Sequence, residues 1–471
     1  MTTPYQEFLP WVFPRLLGVV YLIAFGSLLV QVLGLFGANG ILPISVYLTE
    51  YKQAFGRKAY RLCPTVFWLN SSDRALVGAC VAGVLLSIAL MVGVTPVPLL
   101  LLLWLLYLSY VSVGQEFLSY QWDTLLLEVG FMTIFLPLAD PAPPLAVLAY
   151  RFLLFRFMFS SGAVKLLSGD PTWRGLTAMT YHYQTQPLPN RIAWYAHNLP
   201  LWFQKLSTLA TLVLELIVPF LALTPNPPRL WGFALLFAFQ LLILATGSYG
   251  FFNILTLVML VPLLDDQFIG RYIDPPSGIL DPTREMTVNI IFGIFLGLNI
   301  CQLVALFYRP HWLRRMFFHL SPWMISNNYG LFAVMTTDRL EFEIEGSDDV
   351  EHWRGYDFHF KPGEPNRAPA QAAPHQPRLD WQMWFAALSP RKIEGWMGNM
   401  IVRLLEGSPT VLGLFRNNPF PEQPPKYLRL VVWRYRFTTS QERKETGNWW
   451  DRTLVARYRP ITFKEENEEE R

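Results

Sequence analysis

Charge is scarce in this chain: of 471 residues only 15% are Asp, Glu, Lys or Arg, against 52% that are hydrophobic. The scarcity is regional. Residues 1–310 hold 16 Lys and Arg with 14 Asp and Glu, whereas the shorter stretch 311–471 holds 22 and 21. Two solvents are implied, a bilayer for the first part and water for the second. Cysteine is scarcer still, with three in the chain. Cys80 and Cys301 fall in apolar runs, Cys63 stands alone, and none follows Cys301, so the polar part has neither a disulfide framework nor a thiolate metal site. Also missing are HExxH, a GxSxG elbow and a phosphate-binding glycine loop; His352 and His359 stand an odd number apart on a presumed strand and face opposite sides. No metal site is expected. The net charge of +3 is spread nearly evenly, which leaves no basic patch for nucleic acid.

What the chain does have is a series of apolar runs of bilayer length. Nine spans are predicted, at Leu16–Leu35, Ala75–Val94, Val97–Val113, Phe117–Leu138, Leu145–Leu166, Ser207–Leu223, Leu230–Thr246, Gly250–Leu264 and Val288–Tyr308. The first is too long for the core of a signal peptide and reads as an uncleaved span. An amphipathic stretch, Ile41–Phe55, suits the membrane interface, and a polar connection, Ser168–Leu206, separates the fifth span from the sixth. The expected fold is thus a polytopic α-helical membrane domain over 1–310, followed by a mostly β, α+β extramembrane domain over 311–471. In that domain, strands are predicted at Tyr329–Thr336, Leu340–Glu345 and Tyr427–Thr438, with helices at Leu379–Leu388 and Ile393–Leu405. Its Pro/Ala-rich insert, 361–377, reads as flexible, and Glu465–Glu470 as a solvated acidic tail. Nine of the 17 tryptophans lie here; they suit a core, while Trp449 and Trp450 could instead form an exposed docking edge.

An ionisable side chain near the bilayer centre costs roughly 2.5–3.5 kcal/mol on insertion scales, so those present are informative. The fourth span carries Asp123 and Glu128, the fifth Arg151, Arg156 and Lys165, and the sixth Glu215. Acids on one helix and bases on the next predict mutual neutralisation, either as a structural cluster or as a substrate or proton site. His182, between two tyrosines in the polar connection, is a candidate neutral-pH base or an interfacial hydrogen-bonding residue. Trp381, Trp384 and Phe385 fall at i, i+3 and i+4 of a predicted helix and make one apolar stripe, suited to packing on a sheet or to receiving an unfolded client.

Several long segments carry a resemblance. Gly114–Glu128, with its run Gln-Glu-Phe-Leu-Ser-Tyr-Gln-Trp-Asp, Phe159–Gly162 through Ser168–Trp173, Tyr181-His182-Tyr183 through Gln186–Pro189, Asn328–Phe332, Pro374–Phe385 and Arg403–Ser408 are similar to the lipase maturation factor family. The resemblance implies an integral membrane protein, of the endoplasmic reticulum in a eukaryote or the inner membrane in a bacterium. It also implies that the polar domain lies on the lumenal or periplasmic side, where the protein assists folding and assembly of exported clients such as secreted lipases, with no cofactor. A more distant likeness joins Ser161–Leu166, Asp170 and Trp173 to the vitamin K-dependent γ-carboxylases, with Val164 where that family has a second lysine. It implies a membrane enzyme using reduced quinone, with Lys165 as base. The positive-inside count opposes the implied orientation: Lys52, Arg57, Lys58, Arg61 and Arg74 share a side with Arg174, Arg191, Lys205 and the C-terminal domain.

Overall fold

A computed structural model describes residues 5–272, 276, 278–279 and 281–463. The Glu465–Glu470 run lies outside the described residues. The bundle is built from α1 (Phe8–Leu29), α2 (Asp73–Met91), α3 (Val97–Val113), α4 (Gln121–Ile134), α5 (Pro144–Leu167), α6 (Leu201–Leu216), α7 (Pro228–Thr246), α8 (Phe252–Met259) and α9 (Pro282–Phe307). Local chemistry sets their starts. Ser72 and Asp281 cap α2 and α9 by accepting from the amides of Ala75 and Arg284, while α5, α7 and α9 each begin at a proline, whose missing N–H costs a helix nothing in its first turn.

Six of these helices are long and apolar enough to cross a membrane: α1, α2, α5, α6 with its extension to Leu223, α7 and α9. The other three expected spans correspond to shorter helices, α3, α4 and α8. The fourth apolar run loses its first turns to a 3-10 turn at Gln115–Leu118 and its last to another around Pro137. The 14 residues left to α4 reach about 21 Å, short of a hydrocarbon core of about 30 Å. Pro262 shortens α8 in the same way, confining its helix to Phe252–Met259 before a 3-10 turn.

The C-terminal region adds a four-stranded antiparallel sheet in the order β2-β1-β3-β4, from β1 (Arg339–Ser347), β2 (Arg354–Tyr356), β3 (Tyr427–Phe437) and β4 (Trp450–Arg457). Nine consecutive pairs join β1 to β3, from Arg339 opposite Tyr435 to Ser347 opposite Tyr427. Helices Arg378–Ala387 and Gly395–Leu405 lie between β2 and β3 in sequence. One buried apolar cluster runs without a break from Phe13 and Tyr107 in the bundle to Trp381, Trp396 and Leu430. The sheet and bundle share a core.

One expectation for this region changes. Tyr329–Thr336 is not a strand: its alternation reflects a segment threaded into the mouth of the bundle, where side chains of the helices satisfy its backbone instead of a ladder. The 361–377 stretch lacks helix and strand and is tied to the rest of the fold at several points. Lys361 pairs with Glu341 at 3.2 Å, the carbonyl of Pro365 accepts from the amides of Trp449 and Trp450, and the amide of Ala372 donates to Ser248. Trp450 is buried, stacked on Phe437 at 4.2 Å between centroids, and Trp449 packs on Trp194, so this pair forms a core, not a docking edge.

Candidate functional site

The intramembrane charges do not form one cluster. Five residues apart on α4, Asp123 and Glu128 point about 140° away from each other, so no single neighbouring helix can serve both. Glu128 pairs with Arg156 of α5 at 2.5 Å, and also accepts from the Tyr329 hydroxyl at 2.6 Å and the Asn327 amide at 3.0 Å. Arg156 spends its other donors on Asn299 of α9 and the carbonyl of Asn327. Asp123, expected to face a base of α5, instead takes two bonds from Arg378 of the C-terminal region, at 2.6 and 2.8 Å, and a third from Tyr107 at 2.5 Å. Arg151 has no carboxylate partner among the described residues. Its Nε donates to the carbonyl of Pro262 at 2.7 Å, and Nη2 is left without a partner.

Lys165 and Glu215 make a third, separate pair at 2.7 Å. Lys165 is 2% exposed, so it does not reach for the interface. Its ammonium also donates to the carbonyls of Ser161 and Leu331, both at 3.0 Å, and lies 5.2 Å from the centre of the Trp173 ring. All three donors are engaged, one by a carboxylate. That is the geometry of a held cation, and it lends nothing to the base role implied by the carboxylase likeness. Lys165, Glu215 and His182 line a cavity of about 110 Å3 with Tyr249 and Asn253. His182 Nε2 lies 3.2 Å from the Tyr249 hydroxyl, and its ring meets Phe332 edge-on. Burial, with the charge of Lys165 adding to it, pushes the imidazole down to about 4. It stays neutral at pH 7 and is a weak base.

The segment 326–336 closes the bundle over these pairs. Beyond its bonds to Glu128, Arg156 and Lys165, the amide of Gly330 donates to Gln121, the carbonyl of Phe332 accepts from Trp173, and the amide of Met335 donates to Asp170. Arg378–Ala387 closes it from the other flank. Trp381 and Trp384 are buried, Trp384 donates to the carbonyl of Thr185, and Phe385 is more than a third exposed at 36%. The stripe thus faces the membrane helices, with Phe385 stacked on Tyr120 and Trp381 meeting Trp122 edge-on. Arg378, Asn327 and Tyr329 are the residues that sequence reasoning missed. A signal was available for Arg378, a base opening a helix that carries Leu379, Trp381, Met383 and Trp384.

No group of three or more His, Cys, Asp or Glu placed to hold a metal ion occurs among the described residues. Comparison with known proteins assigns both regions together. The family described as the lipase maturation factor transmembrane domain matches residues 9–271, and the lipase maturation factor C-terminal domain matches 325–460. Lipase maturation factor 2 of Gallus gallus is 34% identical over 94% of this chain and 80% of its own length. The Homo sapiens protein of that name is 33% identical over 94% and 80%, and lipase maturation factor 1 of Mus musculus 33% identical over 95% and 85%. No solved structure matches the chain. With two family matches in order along one continuous core, the chain belongs to the lipase maturation factor family.

Proposed function

We propose that this membrane protein assists the folding or assembly of exported proteins, secreted lipases among them, and that its C-terminal region stands on the lumenal or periplasmic side. The observation that carries the reading is the similarity to relatives named lipase maturation factors over 94% or more of the chain. The reading calls for no cofactor. The buried pairs Glu128–Arg156, Asp123–Arg378 and Lys165–Glu215 act in it as structural ties that hold the C-terminal region in place. The short helices α3, α4 and α8 complete the passage through the bilayer together with their 3-10 extensions. The residue sets at the two ends of the bundle support an alternating path: one end gathers 5–8, 139–142, 224–229 and 262–269, the other 30–40, 114–121, 168–200, 246–250 and the region after 310. A secreted lipase co-expressed with the chain tests the activity. Active lipase per mass secreted should rise with the wild type over a vector control; an unchanged specific activity across several lipases would remove this reading. A cysteine introduced at Asp349 tests the side. Labelling from the cytoplasm would exclude an exported client.

A further inference from the structure

Where Arg378–Ala387 meets the start of α4 there is a second, larger cavity of about 690 Å3, within the range of roughly 300–1,000 Å3 usual for ligand sites. Its floor is aromatic: Tyr120, Trp122, Tyr249, Phe252 and Trp381 are all buried. The rings of Trp122 and Trp381 meet edge-on, with centroids 4.8 Å apart, and form one continuous apolar surface.

The lining is also one-sided in charge. Glu116 and Glu394 belong to it, and no Lys, Arg or His does. Among the described residues neither carboxylate is in an ion pair; Glu394 accepts from Trp396 at 2.5 Å. The occupant must therefore bring an apolar body and a positive charge near the mouth. A phospholipid would set its phosphate beside the two carboxylates, and a free fatty acid would add a third carboxylate. An extended polypeptide brings side chains of both required kinds.

We propose that this cavity receives an extended polypeptide segment in which an aromatic or large aliphatic side chain neighbours a lysine or arginine. The apolar side chain packs on the aromatic floor of Tyr120, Trp122 and Trp381, and the base meets Glu116 and Glu394. The assignment deepens the maturation-factor reading by giving the chemistry of the client segment, and it rests on that reading for its biological setting.

The test uses the full chain in phosphatidylcholine nanodiscs and short fluorescein-labelled peptides. One peptide alternates Phe or Leu with Lys or Arg, a second replaces the bases with Glu, and a third replaces the apolar residues with Ser. The first should bind, and the other two at least about tenfold more weakly. Glu116→Gln with Glu394→Gln should weaken the first peptide by about three- to tenfold and remove most of its salt dependence. Phe385→Ser, which removes a partly exposed ring from the cavity wall, should weaken it by about threefold or more with unaltered salt dependence. Absence of binding, equal binding of the Glu-bearing peptide, or displacement by phosphatidylglycerol would each overturn the proposal. Peptide binding without any effect on lipase activity would instead retire the maturation reading and leave the cavity assignment standing. Lipase maturation without peptide binding would do the reverse.

Discussion

The two ends of the helical bundle are closed differently. At the end holding Tyr5, Asp140 and Asp265, the bundle seals itself: Arg229 and Asn226 bond Asp265, Gln6 bridges Ala142 and Leu264, and Asp266 accepts from the amides of Glu7 and Phe8. At the other end the carboxylates of α4 depend on groups remote in sequence. Asp123 depends on Arg378, and Glu128 on Asn327 and Tyr329 as well as Arg156. The C-terminal region is thus the missing cap of an incomplete bundle. A charge placed in the membrane domain commits the chain to folding its polar domain onto it.

If that contrast is right, the largest effect comes from Arg378. Arg378→Met leaves Asp123 buried with only the Tyr107 hydroxyl, and removing one partner of a buried pair costs about 3–5 kcal/mol. Yield and melting temperature in detergent should both fall sharply, and Arg378→Met with Asp123→Leu should recover much of the loss, since an apolar pair restores balance. A single variant that melts like the wild type would show that Asp123 is hydrated and that the end is not closed by Arg378.

Next in size is the pair within the bundle. Lys165→Met strands Glu215 and leaves two carbonyls unmet, for a cost of about 3 kcal/mol, and Lys165→Met with Glu215→Leu should restore the melting temperature. The double variant also separates structure from chemistry. Its lipase maturation per folded molecule should equal the wild type, whereas a reacting lysine would leave a folded but inactive protein.

The legibility of the fold follows from the same contrast. Long apolar runs and end caps are local, so α1, α2, α5, α7 and α9 could be placed from sequence with boundary shifts of a few residues to about eight. Asp123 and Glu128 were legible as buried charges because charge in an apolar run is conspicuous. Their partners were not. The choice between Arg151 and Arg378 for Asp123 depends on how a helix more than 250 residues later docks, which no periodicity encodes. The threaded segment misled for a related reason: alternating side chains at Tyr329–Thr336 resemble a strand, but partners for its backbone come from Gln121, Lys165, Trp173 and Asp170 on other elements.

On the self-sealed end the loss should be smaller. Arg229→Met still leaves Asp265 with Asn226 and with the amide of Phe268 at 2.9 Å, so about 1–3 kcal/mol is expected. Its effect should stay local, with faster hydrogen exchange at 226–229 and 262–269 and unchanged exchange around Arg378. Loss of protection across both ends would mean that the two closures are one cooperative unit.

The smallest expected effect per residue is the most selective between the ends. Burial pushes the imidazoles of His182, His197 and His375 each down to about 4, with Lys165 adding to the shift at His182 and Arg378 at His375. All three belong to the end capped by the C-terminal region. In the unfolded chain a histidine titrates near 6.5, so between about pH 6.5 and 4 the unfolded state binds more protons than the folded one. Stability therefore falls as pH drops through that window, by up to about 1–2 kcal/mol per imidazole at pH 5. Local opening should show the same sign: at pH 5 exchange should quicken at 178–197 and 372–385 relative to pH 7, after correction for the intrinsic rate, while 226–229 and 262–269 hold. His182→Gln should flatten the change around 178–185, because an amide keeps a polar group beside Tyr249 and takes up no proton. If acid loosens both ends equally, or if the glutamine variant keeps the full pH dependence, the imidazoles are not what makes the capped end the weaker one.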